Sequence, residues 1–247
     1  MSEDRGTTTL VGLLRWPPSH SLSPAMQNAG FAALGLNWSY VLLPTPPEEL
    51  AAAVEGLEAA GFAGANVTIP HKTAVLALCD EVDPLAAEAQ SVNTLVVADG
   101  LVRGSSTDIL AIAAAVEAAG LRALVLGSGG SAKAAVAALR RAGAEVTTAT
   151  RHDPDWPPHG RDFDIVVNAT PVKDHPIVEP RAGQQIVDLP YNPKGEPTAL
   201  VTAARAAGCD RVVDGLDILL AQGAASFELW TGLPAPFNAM REALRSV

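Results

Sequence analysis

The stretch A-L-V-L-G-S-G-G-S-A-K-A-A-V-A-A-L-R-R-A, residues 123–142, decides the fold. Its first four residues are apolar and suit a buried strand, and the alanine-rich run over 133–142 suits a helix. Between them lie Gly127, Ser128, Gly129, Gly130, Ser131 and Ala132. Strand, glycine turn and helix in this order form the fingerprint of a dinucleotide-binding unit. Gly127 permits the tight turn, Gly129 lets the backbone approach a pyrophosphate, and Ala132 allows close helix packing. The helix entrance then offers N–H donors to the phosphates.

The next strand ends in Thr150, Arg151, His152 and Asp153, at the position that meets the adenosine ribose in such units. An arginine suits a 2′-phosphate and so NADP, whereas an acid suits the free 2′-hydroxyl of NAD. Both are present, with a lean towards NADP.

Working outward, strand patterns fall at 9–14, 38–43, 63–69, 91–98 and 101–104, with a turn at Asp99-Gly100. Helical patterns interleave at 24–34, 47–60 and 108–119. Beyond the glycine turn, strands are expected at 145–150, 164–168, 185–189 and 211–213. Helices are expected at 197–207, 216–230 and 236–245. The alternation implies parallel sheets with helices on both faces, in two α/β domains.

The formal net charge of −10 and the lack of any Lys/Arg run argue against nucleic-acid binding. An anionic substrate must therefore be held by particular local groups. The start, M-S-E-D-R-G-T-T-T-L, is acidic and has no apolar core, so it does not read as a signal peptide. No uncharged apolar run is long enough to span a membrane. Cys79 and Cys209 lie far apart in helical patterns and read as reduced thiols of a cytoplasmic protein. Five scattered histidines lack ligand spacing, so no metal site is expected.

N-V-T-I-P-H-K, residues 66–72, reads as a strand end passing into a helix opened by Pro70. That places the Lys72 ammonium in a first helical turn, where the dipole disfavours cations. In H-S-L-S-P (20–24), Ser23 and Pro24 suit an N-cap and first turn. Ser21 and Ser23 beside free helix N–H groups also suit a small carboxylate. Asp108 opens a helix, Asn66, Thr68 and Asn93 sit at strand ends, and Gln222 needs a partner within an apolar helix. In that helix Leu219, Ala225, Phe227 and Trp230 form an apolar stripe expected in the core.

Together these pieces resemble the shikimate dehydrogenase family. The match runs in order through H-S-L-S-P-A-M-Q-N (20–28), N-V-T-I-P-H-K (66–72), S-V-N-T (91–94), S-T-D (106–108) and G-S-G-G-S-A (127–132). It continues through N-A-T-P-V (168–172), D-L-P-Y-N-P (188–193) and D-G-L-D-I-L-L-A-Q-G-A-A-S-F-E-L-W-T-G (214–232). The resemblance implies NADP-linked interconversion of 3-dehydroshikimate and shikimate in aromatic amino-acid biosynthesis. Lys72 and Asp108 would be the catalytic pair, and Ser21 and Ser23 would hold the substrate carboxylate. Asn66, Thr68, Asn93, Tyr191 and Gln222 would make further substrate contacts. The cofactor would be held by residues 127–132, Thr150, Arg151, Ala169, Thr170 and Gly215. The implied domains are a substrate domain, 1–104 with 217–247, and a Rossmann-like nucleotide domain, 105–216. The sequence fits a monomer or a homodimer.

The chain departs from the family's pattern at Ser106, where Asn is usual, at Thr150, again usually Asn, and at Asp217 and Ile218. The segment 151–164 is short and proline-rich where the family carries a helix and a further strand, so the nucleotide domain is trimmed. Quinate or an amino-shikimate would fit the same groups, and a non-catalytic binding homologue is the alternative of another class.

Overall fold

A computed structural model of the chain describes residues 8–246. The acidic start read as lacking a signal segment falls largely on residues 1–7, outside that range. The chain divides into two compact units, one of residues through Thr107 with those from Leu220 onward, the other Asp108–Leu219.

The first unit holds β1 (Thr9–Arg15), α1 (Ser23–Ala33), β2 (Trp38–Pro44), α2 (Leu50–Ala59) and β3 (Phe62–Val67). It continues with β4 (Glu81–Val82), α3 (Pro84–Ala89), β5 (Thr94–Ala98) and β6 (Leu101–Ser105). Its six-stranded sheet has the order β2-β1-β3-β5-β6-β4. The sheet is mixed rather than parallel as expected: β5 is antiparallel to both β3 and β6. For β5 and β6 the reason is local. Asp99 and Gly100 both take positive φ, 55° and 73°, so a two-residue turn reverses the chain and leaves no room for a crossover helix.

The sequence reading missed α3, a six-residue helix whose buried face is only Ala86 and Ala89. A cap sets it instead. Asp83 Oδ1 accepts from Leu85 N and Ala86 N, both at 2.9 Å, and Pro84 opens the helix. Asp83 Oδ2 also accepts from Ser106 N at 3.3 Å, tying α3 to the residue before α4 (Thr107–Ala115). α4 stops at Ala115, short of the expected 119. Leu14, Val54, Val67, Val75 and Leu95 form the core beneath this sheet.

The second unit holds β7 (Arg122–Leu126), α5 (Gly130–Arg141), β8 (Glu145–Ala149), β9 (Ile165–Asn168), β10 (Gln185–Asp188), α6 (Ala199–Ala206) and β11 (Arg211–Val213). Its five strands, in the order β11-β10-β9-β7-β8, are all parallel. A short 3-10 turn, Gly160–Asp162, stands in the trimmed segment between β8 and β9. Leu124, Leu126, Val166, Ile186 and Leu200 fill the core. Helices α7 (Gly215–Thr231) and α8 (Phe237–Arg245) complete the chain. In α7 the expected stripe is partly realised. Phe227 and Trp230 are buried, while Leu219 and Ala225 are half-buried and Ile218, Leu220 and Ala224 take core positions. No described helix is long and apolar enough to cross a membrane.

Removing the Asp83 cap should loosen α3 and the residue before α4 together. Asp83→Ala is expected to cost about 1–2 kcal/mol, read as a lower urea midpoint at unchanged slope, and Asp83→Asn should recover most of it.

Candidate active site

Lys72 does not enter a helix. β3 ends at Val67, and His71 N donates to Thr68 O at 2.8 Å to close a turn. The Lys72 carbonyl then accepts from Val92 N at 2.8 Å, so it is not available to an α-helical i→i+4 ladder. Only a five-residue 3-10 stretch, Ala74–Leu78, follows. The electrostatic cost posed by the expected helix therefore does not arise. His71, overlooked in the sequence, anchors this turn: it is 1% exposed, and its Nε2 lies 2.8 Å from Thr45 O. Thr68, half-buried, is fixed through its backbone N to Leu14 O at 3.1 Å.

Ser23 is not the N-cap of α1. Leu22 holds that position without a side-chain cap bond, and Ser23 is the first helical residue. Ser21 Oγ accepts from Ser23 N at 3.2 Å, while Pro24, having no N–H, leaves none for Ser23 Oγ to receive there. Arg15 stands behind this loop and was not foreseen. Its Nη1 donates to Ser19 O and His20 O, both at 3.4 Å, which ties a cation to the loop that carries the two serines.

Asn93 is the hub of the first unit's polar core. Its Oδ1 accepts from Thr107 N at 2.7 Å, which fixes the start of α4 directly before Asp108. Its Nδ2 donates to Thr107 Oγ1 at 2.9 Å and to Gln222 Oε1 at 3.1 Å. Gln222 thus has the partner its apolar helix demanded. Asn66 is used up differently. Its Oδ1 accepts from Tyr40 Oη at 2.9 Å, and its Nδ2 reaches Asn93 O, Thr94 Oγ1 and Ser226 Oγ at 2.9–3.1 Å. With every polar atom of its side chain engaged, Asn66 builds the frame. Tyr40, Thr94, Thr107 and Ser226 belong to the same buried cluster. Nothing in a single sequence separates these hydroxyls from ordinary strand and helix residues.

In the second unit the glycine turn follows β7. Gly127 has φ 115°, and a Cβ there would lie 3.0 Å from Ala169 O. α5 begins at Gly130, three residues before the expected start. Its N-cap is Gly129, with no side-chain cap bond and open space where a side chain would stand. No side chain of the N-cap covers the helix entrance, and these residues fit a dinucleotide pyrophosphate. Ser128 is exposed, Ser131 half-buried and Ala132 buried. After β8, Asp153 Oδ2 accepts from Thr150 N at 2.7 Å, so the acid is engaged in its own turn while Arg151 is exposed.

Thr170 N and Oγ1 donate to Asn168 Oδ1 at 3.0 and 2.7 Å, which shapes the turn containing Ala169. Tyr191 lines a pocket of about 170 Å³ with Asn192, Thr198, Arg205, Asp214 and Gly215. Gly215 admits no side chain, because a Cβ there would collide with the Leu189 and Pro190 carbonyls. Burial pushes the Asp188 carboxyl up to about 6; hydrogen bonds from Thr198 and Asn168 oppose the rise and nearby Asp214 adds to it. Burial likewise raises the Cys79 thiol to about 11, with Asp80 adding, so this thiol is protonated at neutral pH. Among the described residues no cluster of three His, Cys, Asp or Glu could hold a metal.

The chain is similar to known proteins. Residues 15–95 match the shikimate dehydrogenase substrate binding domain, and 215–245 match the shikimate 5′-dehydrogenase C-terminal domain. The NADP(+) shikimate dehydrogenase of an Anaeromyxobacter species is 43% identical over 97% of this chain and 96% of its own length. The chain belongs to the shikimate dehydrogenase family. A second relative in the family, from Moorella thermoacetica, is 39% identical over 99% of this chain and 95% of its own. The shikimate 5-dehydrogenase of Thermus thermophilus, solved with NADP(H) and shikimate, superposes with a TM-score of 0.83. It is 35% identical and covers 96% of this chain and 98% of its own. The first family match spans Ser21 to Asn93, and the second spans Gly215 and Gln222.

The Asn93 amide can be tested with an isostere. Asn93→Asp keeps an acceptor for Thr107 N but loses both donors and buries a charge, so it should cost at least about 2 kcal/mol at neutral pH. Burial raises the introduced carboxyl above its unfolded value, so the deficit should shrink as pH falls and grow as pH rises through the folded value. Urea unfolding at pH 5 and pH 8 reads this difference; equal deficits would show that ionisation plays no part.

Proposed function

We propose that the chain is an NADP-dependent shikimate dehydrogenase, interconverting 3-dehydroshikimate and shikimate. The carrying observation is the S-V-N-T segment. Val92 N holds the Lys72 backbone and the neighbouring Asn93 holds the backbone entering Asp108. Two adjacent residues thus fix the chain at both expected catalytic groups, as acid–base work at one oxygen requires.

Bound NADPH would supply the hydride to the C3 carbonyl carbon. Lys72 and Asp108 handle the proton at the C3 oxygen, giving one to it in reduction and taking it back in oxidation. Ser21 and Ser23 receive the ring carboxylate, with Arg15 offsetting the negative background of the chain. Thr68, Gln222 and Tyr191 orient the ring hydroxyls, and Asn93 and Asn66 hold those groups in place. The glycine turn takes the pyrophosphate. Arg151 takes the 2′-phosphate, and engagement of Asp153 by Thr150 N supports NADP over NAD.

Residues 1–104 with 217–247 serve the substrate and 105–216 the nucleotide, an assignment supported by the compact unit Asp108–Leu219. The free Cys79 and Cys209 accord with a cytoplasmic enzyme, acting as a monomer or homodimer.

Absorbance at 340 nm should rise when the purified chain meets shikimate and NADP⁺. A folded chain that reduces the nucleotide with none of shikimate, quinate or amino-shikimate would sink this function, and preference for quinate would reassign the substrate. Lys72→Ala should lower kcat roughly 10²–10⁴-fold with little change in shikimate Kd. Turnover near wild type would remove Lys72 from the proton transfer. Arg151→Ala should raise the KM for NADP⁺ about tenfold or more, as expected for a charge-assisted contact, and leave that for NAD⁺ almost unchanged.

A further inference from the structure

Adjacent parallel strands of the second unit end on polar residues that bond to one another. Asn168 closes β9 and Asp188 closes β10, and the two are opposite in register. Ligands of such sheets bind beyond these carboxyl ends of the strands. Asn168 Nδ2 donates to Asp188 Oδ1 at 2.7 Å. The other carboxylate oxygen accepts from the hydroxyl of Thr198, the cap of α6, whose Oγ1 in turn accepts from Val201 N at 3.2 Å. None of the three is more than 3% exposed, so water does not replace these bonds.

The contacts continue outward into both loops. Asn168 Nδ2 also donates to Val172 O at 3.1 Å, and its Oδ1 holds Thr170. Ala169 N donates to Leu126 O at 2.9 Å, and the Ala169 carbonyl is what a Cβ on Gly127 would strike. The glycine turn therefore rests on the backbone that Asn168 shapes. On the other side, Leu189 N donates to Asn168 O at 2.9 Å, and the loop runs past Tyr191 to Thr198. Its crown is pinned by Asn192 Nδ2 to Glu196 O at 3.0 Å. The nearby charged groups are Asp214, which caps α7 through Leu216 N at 3.0 Å, and Arg205, 3.8 Å from Asp214.

We infer that Asp188 is a positioning residue for nucleotide binding: through Asn168 and Thr198 it fastens the 169–172 and 189–198 loops, and through Ala169 the glycine turn. The inference rests on the NADP function proposed above. A carboxylate accepts from both donors at once. An amide in its place keeps both bonds by donating to Thr198 instead, and alanine keeps neither.

The test uses the full chain and measures Kd for NADP⁺ and for shikimate by titration, with KM values alongside. Asp188→Ala should weaken NADP⁺ about tenfold or more, the size of a lost charged hydrogen bond, with shikimate Kd within about twofold. Asp188→Asn should recover NADP⁺ affinity to within about threefold of wild type, and Thr198→Val, which removes one of the two bonds, should fall between. Unchanged NADP⁺ affinity in a folded Asp188→Ala chain overturns the inference. So do parallel losses for both ligands, or an Asp188→Asn chain no better than the alanine variant. If Asp188→Ala does not fold, Thr198→Val decides by the same measure, and unchanged NADP⁺ affinity there overturns it. A wild-type chain that fails to bind NADP⁺ overturns the proposed function and this inference together, whereas the variant outcomes strike the inference alone.

Discussion

The hydrogen bond from Thr107 N to Asn93 Oδ1 is the constraint on which the first unit's polar core depends. Thr107 is the first residue of α4, so its N–H has no partner within the helix. Asn93 satisfies it and uses its own amide hydrogens on Thr107 Oγ1 and Gln222 Oε1. Remove that one side chain and a helix start, a hydroxyl and a glutamine lose partners at once. Each buried group left unsatisfied costs about 1–3 kcal/mol, which explains why the surrounding positions are Asn66, Thr94 and Ser226 rather than isosteric apolar residues. Such a cluster gives a single arrangement instead of several, because no partial rearrangement satisfies all its donors.

Much of the architecture was legible because it is written in local signals. The 123–142 stretch announced β7, the glycine turn and α5, and Asp99-Gly100 announced the hairpin of β5 and β6. The same hairpin shows where local reading stopped. Its turn was seen, yet the sheet was taken as parallel, because strand direction follows from the length of a connection more than from the strand's own residues. Pro70 misled in a related way. Proline at a helix start is a sound rule, but the Lys72 carbonyl was already taken by Val92 N, a long-range bond invisible to a window of neighbours. Ser23 and Leu22 differ by a single position, which capping rules cannot resolve without dihedral angles.

The site divides along the same line. Residues with an unusual chemical type for their surroundings, such as Gln222 in an apolar helix, could be picked out singly. Their supporting hydroxyls could not, since Thr94, Thr107 and Ser226 come from β5, α4 and α7 and meet only in the folded chain. Arg15 was hidden for another reason: it closes β1, where a cation reads as an ordinary strand end, and its role appears only through the Ser19 and His20 carbonyls it faces. The shortness of segment 151–164, conversely, was visible by counting, and the second sheet has five strands.

The two buried polar clusters differ in kind. Around Asn93 the hydrogen bonds join amides, aliphatic hydroxyls and the Tyr40 phenol. The cluster in the second unit contains a carboxyl that ionises near 6 when folded and near 3.8 when not. Because the folded value is the higher one, its stabilising effect is complete below the unfolded value and fades as pH rises through about 6. The second cluster therefore answers to the proton activity of its surroundings as well as to changes of sequence. The chain thus carries, in its second unit, a frame that registers acidity.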